Sequence, residues 1–433
     1  MEGGFIIQKE KEININQSDV NQNNKKITTK EKLQSLGPAA IVAACIVGPG
    51  TVTTVSVAGA TYGFQVMWIL VIACFTAYYF QRPVVKFTIQ TKMAAMDGIR
   101  SYMGKGWSIP LYIALLLGAI AFQAGNFTGA ALALNFFLPS IPILAWVSFL
   151  AVGALIISWI GIYKLLENIN RVFIGLMVLA FVLTVFVSGP SIADVFTTGF
   201  SFQIPESNYW LVLALIATTL PPNTALGLSA FIKRKYEKDT VTPTWKKMKL
   251  SHFDLRVNLF ITAAISISIL ICAGSVIFGT GAVIEGAADM AYQLTPLLGQ
   301  YAGVLFALGL WAAGFSSGLF NISVQPALFG QAFGTSEKVN ALPNRIMMLL
   351  AAIAPILIVY LFGQTPIQLI MAAQAINGLL LPAIVGSIWI LCNKRKFLGE
   401  YANTLSQNII YTVVMVIVCF LAIRVFLDIF GII

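Results

Sequence analysis

From residue 38 onward the chain alternates long apolar runs with short polar or charged ones. The apolar runs fall at 38–63, 65–85, 109–138, 142–162, 166–188, 209–232, 254–279, 298–330, 342–363, 366–392 and 406–430, most of them bounded by Gly, Pro or charge clusters. One membrane crossing takes ~20 apolar residues, so the pattern predicts eleven membrane-spanning helices and no strands. Residues 1–36 are different: Asn-, Gln- and Lys-rich, with no apolar run beyond Phe5 to Ile7. Such a composition buries too little apolar surface to fold alone, and it lacks the early apolar segment of a cleaved signal. The reading is a disordered tail, 1–36, ahead of a membrane domain, 37–433.

Composition sharpens this. With 58% apolar and only 10% charged residues, the chain is far from the balance of soluble domains, about 45–50% and about 25%. The formal charge of +10 gains its meaning from placement. With the tail on the cytoplasmic side, 26 of the 27 Lys and Arg lie on that face or at the ends of spans beside it, Arg424 in the last span being the exception. The opposite loops, at 60–66, 138–142, 188–208, 279–297 and 363–366, carry no Lys or Arg but include Asp194, Glu206, Glu285 and Asp289. The charge therefore follows the positive-inside rule, with the N-terminus cytoplasmic and the C-terminus extracellular or periplasmic in a multi-pass plasma-membrane protein. The basic 233–249 segment reads as a topology determinant; no nucleic-acid partner is implied, and the surrounding lipid is the expected one. Five scattered Cys and the single His252 offer no disulfide framework, zinc spacing or cofactor site.

Two spans are interrupted. Gly48-Pro49-Gly50-Thr51 sits near the middle of the first and Thr219-Leu220-Pro221-Pro222-Asn223 near the middle of the sixth. Proline removes an amide donor and glycine weakens a helix, and open backbone at that depth is tolerated only where it is buried in protein or lines a cavity. Breaks in the first span of each block of five are the mark of two inverted five-helix repeats, 38–188 and 209–392, with substrate at the broken helices. The eleventh helix, 406–430, stands outside the repeats.

At these residues the chain resembles the Nramp family of divalent-metal transporters, whose LeuT-type fold has this repeat. Gly48-Pro49-Gly50-Thr51 stands where the family has Asp-Pro-Gly-Asn, and Leu220-Pro221-Pro222-Asn223 where it has Met-Pro-His-Asn. Ala131-Leu132-Ala133-Leu134-Asn135, Ala312-Ala313-Gly314-Phe315-Ser316-Ser317 and Gln374 ahead of Leu381-Pro382 also match in order. The resemblance implies that Gly48, Thr51 and Leu220 replace the metal-holding Asp, Asn and Met. It also implies that the acidic positions of the proton route fall near Asn126 and Gly129, the sixth-span His on Pro222, and the eighth-span Gln on Phe315. Arg345 is the candidate for a surviving part of that route.

No Asp or Glu occurs in spans 38–63, 109–138, 209–232, 298–330 or 366–392. A dehydrated divalent cation needs anionic or several hard oxygen ligands, so the sequence predicts no resident metal. The expected substrate-binding set is Gly48, Pro49, Gly50, Thr51, Asn126, Thr219, Leu220, Pro221, Pro222, Asn223, Ser316 and Gln374. Opposed helix ends would suit a small polar or zwitterionic solute such as an amino acid, moved without the family's proton coupling. The alternatives are a divalent cation carried in hydrated, Mg2+-like or Mn2+-like form, and a solute sensor that no longer transports. An enzyme is not expected, because Ser316 and Ser317 have no acid or base within the spans. The oligomeric state is left open; a monomer suffices.

Overall fold

The computed structural model describes residues 27–160, 163–204, 208–362 and 366–429; residues 1–26 of the tail lie outside them. The described chain is helical throughout. In order it runs α1 (Thr29–Ser35), α2 (Pro38–Ile46), α3 (Pro49–Tyr62), α4 (Met67–Thr91), α5 (Ala95–Met103), α6 (Lys105–Phe137), α7 (Ile143–Ile160), α8 (Tyr163–Ser188) and α9 (Ile192–Gly199). It continues with α10 (Tyr209–Thr219), α11 (Pro222–Tyr236), α12 (Thr244–Val276), α13 (Ala287–Tyr292), α14 (Thr295–Leu298), α15 (Ala302–Phe333), α16 (Leu342–Phe362), α17 (Pro366–Cys392), α18 (Arg395–Leu398) and α19 (Leu405–Ile429).

Among the described residues, nine stretches are long and apolar enough to cross a membrane, with α10 and α11 counted together; α8, followed at 110° by α9, makes a tenth. The remaining predicted span is α2 with α3, each half too short to cross alone. Two boundaries differ most from the sequence reading. α4 continues to Thr91 through Pro83, and α12 starts at Thr244, ten residues before the predicted 254. Hydropathy ends a span at the first charges, whereas the helix continues into the interface as long as its polar groups reach water. Part of the polar tail is also helical: Thr28 caps α1 with Glu31 in a reciprocal capping box, and Lys246 holds Glu31 at 2.6 Å.

The most apolar window of α10–α11 is wholly buried, against 28% of that of α7 and of α16. The broken helices therefore form the centre, and α7 and α16 face lipid. Close approach is made by small residues, as expected where lipid supplies no hydrophobic drive between helices. A Cβ on Gly129 of α6 would run into Pro49, one on Gly314 of α15 would meet Pro49 Cγ at 2.9 Å, and one on Gly59 of α3 would meet Ala273 at 2.8 Å. Pro49 is thus clamped between α6 and α15.

Candidate functional site

The first break is two residues long. α2 ends at Ile46, Val47 turns away from the helix, Gly48 is extended, and Pro49 restarts the helix as its first residue. Gly48 has no side chain to cap α3, so the first amides of that half-helix point at the break without a side-chain partner. Facing them are the last carbonyls of α2: Cys45 O accepts from Ser317 Oγ at 3.1 Å, and Ile46 O accepts from Thr51 Oγ1.

The second break has the same build. α10 ends at Thr219, Leu220 and Pro221 are non-helical, and Pro222 begins α11. The two breaks meet at Thr51, whose Oγ1 lies 2.7 Å from Thr218 Oγ1. One threonine hydroxyl therefore ties a carbonyl of the first break to a hydroxyl of the second.

From the second break a file of carboxamides returns to the first. Asn223 Nδ2 donates to Asn321 Oδ1; Asn321 Nδ2 donates to Gln123 Oε1 at 3.3 Å and to Ala119 O at 3.0 Å. Asn126 Nδ2 donates to the same Gln123 oxygen at 3.4 Å, and Gln123 Nε2 donates to Gly318 O at 3.1 Å. Gln325 Nε2 donates to Asn321 O at 3.2 Å, and Tyr112 donates to Gln325 Oε1 at 3.2 Å, extending the file toward the basic face. The file ends at the first break on Asn126 Oδ1, which has no partner. That oxygen lies 3.4 Å from where a Cβ on Gly48 would stand.

Gln374 of α17 closes the site from the other side. Its carboxamide lies directly on Gly50, in the space a Gly50 side chain would fill. It is fully buried, and neither its oxygen nor its nitrogen has a hydrogen-bond partner. Buried carboxamide atoms without a partner are uncommon in folded proteins, and here Asn126 Oδ1 and both polar atoms of Gln374 flank one uncapped helix start.

The structure thus brings Gly48, Pro49, Gly50, Thr51, Asn126, Asn223 and Gln374 together, with Leu220, Pro221 and Pro222 forming the second break. It does not direct the others there. Thr219 Oγ1 bonds back to Leu215 O at 3.1 Å and Ser316 Oγ to Ala313 O at 3.1 Å, local bonds that satisfy the hydroxyl within its own helix. Ser317, one residue on, is the serine that reaches the break, because each residue advances about 100° around a helix. Phe315 stacks on Trp311 with ring centroids 6.0 Å apart, in the apolar layer against α7 and α16. Arg345 is exposed and donates to Asn340 Oδ1 at 3.1 Å, away from both breaks. Gln123 and Gln325 were not singled out from sequence; their only signal there is a glutamine inside an apolar helix. Among the described residues no three His, Cys, Asp or Glu side chains converge as a metal site, and the described Cys are all free thiols.

Comparison with known proteins gives this arrangement a context. The family model described as natural resistance-associated macrophage protein-like matches residues 39–428. A natural resistance-associated macrophage protein 2 homolog of Dictyostelium discoideum is 28% identical over 91% of this chain, which spans 63% of that longer relative. The divalent metal cation transporter MntH of Deinococcus radiodurans is 28% identical over 89% of this chain and 88% of its own. Among solved structures, the Eremococcus coleocola manganese transporter superposes with a TM-score of 0.74 at 19% identity, covering 92% of this chain and 87% of that one. MhsT in complex with L-phenylalanine superposes with a TM-score of 0.56 at 17% identity, covering 90% and 97%. The broken helices, their order and the extent of the match make this chain a member of the Nramp family of membrane transporters, with the LeuT-like fold.

Proposed function

We propose that the chain carries a divalent cation across the membrane by alternating access, and that it takes the ion as a hydrated, Mg2+-like species. The relatives named as divalent metal cation transporters favour an ion over the amino-acid-like solute first expected from sequence. The observation that carries the hydrated form is a file of neutral carboxamides that ends at the unpaired oxygen of Asn126, with the unpaired carboxamide of Gln374 beside Gly50, where a dehydrated ion would need charge. Mg2+ gives up its water reluctantly, and its bound waters present hydrogens that need acceptors. Asn126 Oδ1, Gln374 Oε1 and the carbonyl end of α2 supply acceptors at one place, with the negative end of that half-helix dipole behind them. Leu220 provides no soft ligand for a transition metal.

In this reading Gly48, Pro49, Gly50 and Thr51 shape the ion's side of the site, while Leu220, Pro221, Pro222 and Asn223 shape the facing side. Gln374 seals it until α3 and α17 separate. With no carboxylate along α6 or α15, transport proceeds without the proton route of the family. The N-terminus is cytoplasmic and the membrane is that of the cell surface.

A second reading rests on the uncapped amides of α3 facing the carbonyl end of α10: opposed dipole ends would hold the carboxylate and ammonium of a zwitterion. Flux into proteoliposomes separates the two. The cation reading expects saturable Mg2+ uptake, no preference for Mn2+ over Mg2+, and no change in internal pH. Amino-acid uptake without Mg2+ uptake would replace it by the second reading, and binding of either solute without flux would make the chain a sensor.

A further inference from the structure

Four basic side chains converge where α4 packs against α12 on the face that carries the N-terminal segment. Arg82 and Lys86 lie one turn apart on α4, and His252 and Arg256 one turn apart on α12. Arg82, Lys86 and Arg256 all act electrostatically on His252, and Arg82 also acts on Lys86. His252 is buried, only 8% exposed, with its Nε2 unpartnered, and Arg82 Nε is likewise buried without a partner. Arg256 Nε donates to Tyr78 OH at 3.1 Å.

Other cations of this face are already matched by carboxylates. Lys233 lies 2.8 Å from Asp97 and 2.7 Å from Glu337, and Lys246 lies 2.6 Å from Glu31. Among the described residues none of the three cations at the α4–α12 seam, Arg82, Lys86 and Arg256, forms an ion pair, and His252, buried beside them, adds hydrogen-bonding capacity rather than a fourth charge. The nearby Asp254 is turned the other way: its carboxylate accepts from the amides of Gly37 and Ala39 and from Asn258. Crowded like charges repel unless an anion lies among them.

The same two helices continue toward the membrane centre as an exposed apolar wall. Phe75 lies seven residues, two turns, before Arg82 on the same side of α4 and is 55% exposed; Phe260 lies one turn past Arg256 and is 76% exposed. A ligand here meets positive charge at one end and hydrocarbon at the other, with Tyr78 and Tyr79 at the level where interfacial aromatics sit.

We propose that the seam formed by Arg82, Lys86, His252 and Arg256 binds the phosphate headgroup of an anionic phospholipid, whose acyl chains lie along Phe75 and Phe260. The bilayer is the source of anions that combines both features, and basic clusters at this level attract anionic lipid. The full chain, purified in detergent, tests this by thermal unfolding and native mass spectrometry with phosphatidylglycerol, phosphatidylcholine or inorganic phosphate added. Phosphatidylglycerol should raise the unfolding temperature and stay bound, phosphatidylcholine should do neither, and Arg82→Gln with Arg256→Gln should lower phosphatidylglycerol retention at least threefold. Lys105→Gln with Lys338→Gln, which removes equal charge elsewhere on the same face, should leave retention unchanged. If the first pair does not fold, Lys86→Gln carries the same expectation. Equal retention of the two lipids, equal loss in both double variants, or full protection by inorganic phosphate alone would overturn the lipid site.

Discussion

Gly48 and Gly50 are two residues apart, yet their surroundings dictate different experiments. At Gly50 a side chain would enter the space of the Gln374 amide, so Gly50→Leu should abolish transport while the protein still reaches the membrane. Adding Gln374→Ala vacates that space and should restore folding stability but not flux, as read by thermal unfolding beside uptake. At Gly48 a new Cβ would stand 2.7 Å from Ser317 Oγ. Installing Gly48→Asp, Thr51→Asn and Leu220→Met, the residues that the resemblance implies for the family at these positions, is therefore expected to fail unless Ser317→Ala is added. The quadruple variant should bind Mn2+ by calorimetry while the wild type should show no binding at micromolar concentration; tight binding by the wild type would reverse the assignment of a neutral site. The sequence marks the glycines, Asn126, Asn223 and Gln374 but does not mark Gln123. A glutamine in an apolar helix acquires its role only when α15 brings Asn321 against it, a pairing between residues 198 apart in sequence.

Whole helices were easier to read than their ends. The two breaks are legible because Gly-Pro-Gly and Pro-Pro forbid continuous hydrogen bonding whatever surrounds them. The start of α2 at Pro38 falls where the sequence places it, but its cap is not legible, since Gly37 and Pro38 leave its first amides without a local partner. The cap comes from α12: Asp254 accepts from Gly37 N at 3.2 Å and from Ala39 N at 3.0 Å, satisfying a helix start with a carboxylate 215 residues away. Lys235 Nζ adds a bond to Ser35 O at 2.5 Å just before it. A carboxylate at a helix start is also favoured by the helix dipole. Removing such a cap costs about 1–2 kcal/mol, so Asp254→Ala should let α2 leave its seat more often. Cys45, 1% exposed on that helix, reports the event. In a background without the other cysteines, its labelling by a small maleimide should quicken roughly tenfold, the ratio that about 1.4 kcal/mol corresponds to. No acceleration would mean that Asp254 does not hold the helix.

Across the whole molecule the eleven-span reading and the helical architecture agree, because hydropathy and span length alone constrain a chain that must satisfy its backbone inside lipid. The orientation rests on charge placement. Single cysteines at 285–290 are expected to react with an impermeant reagent added to intact cells, and single cysteines at 240–246 are not; the opposite pattern would invert the molecule. Arg82 and Lys86 illustrate what a charge tally misses. They count simply as positive residues of one face until α12 places His252 and Arg256 beside them. Ion pairs such as Lys233 with Asp97 and Glu337 join α5, α11 and the segment after α15, and no sequence spacing announces them.

The neutrality of the carboxamide file also has an electrical consequence. A carrier whose own substrate site bears no charge moves charge only when it is loaded. For a divalent ion the loaded step would carry two elementary charges through the membrane field, about 4.6 kcal/mol per 100 mV, while the empty carrier would return without feeling the potential. Uptake clamped by a potassium gradient with valinomycin should then rise steeply as the lumen is made negative, and the return of the empty site should stay flat. A zwitterion, crossing with no net charge, would make both legs indifferent to voltage.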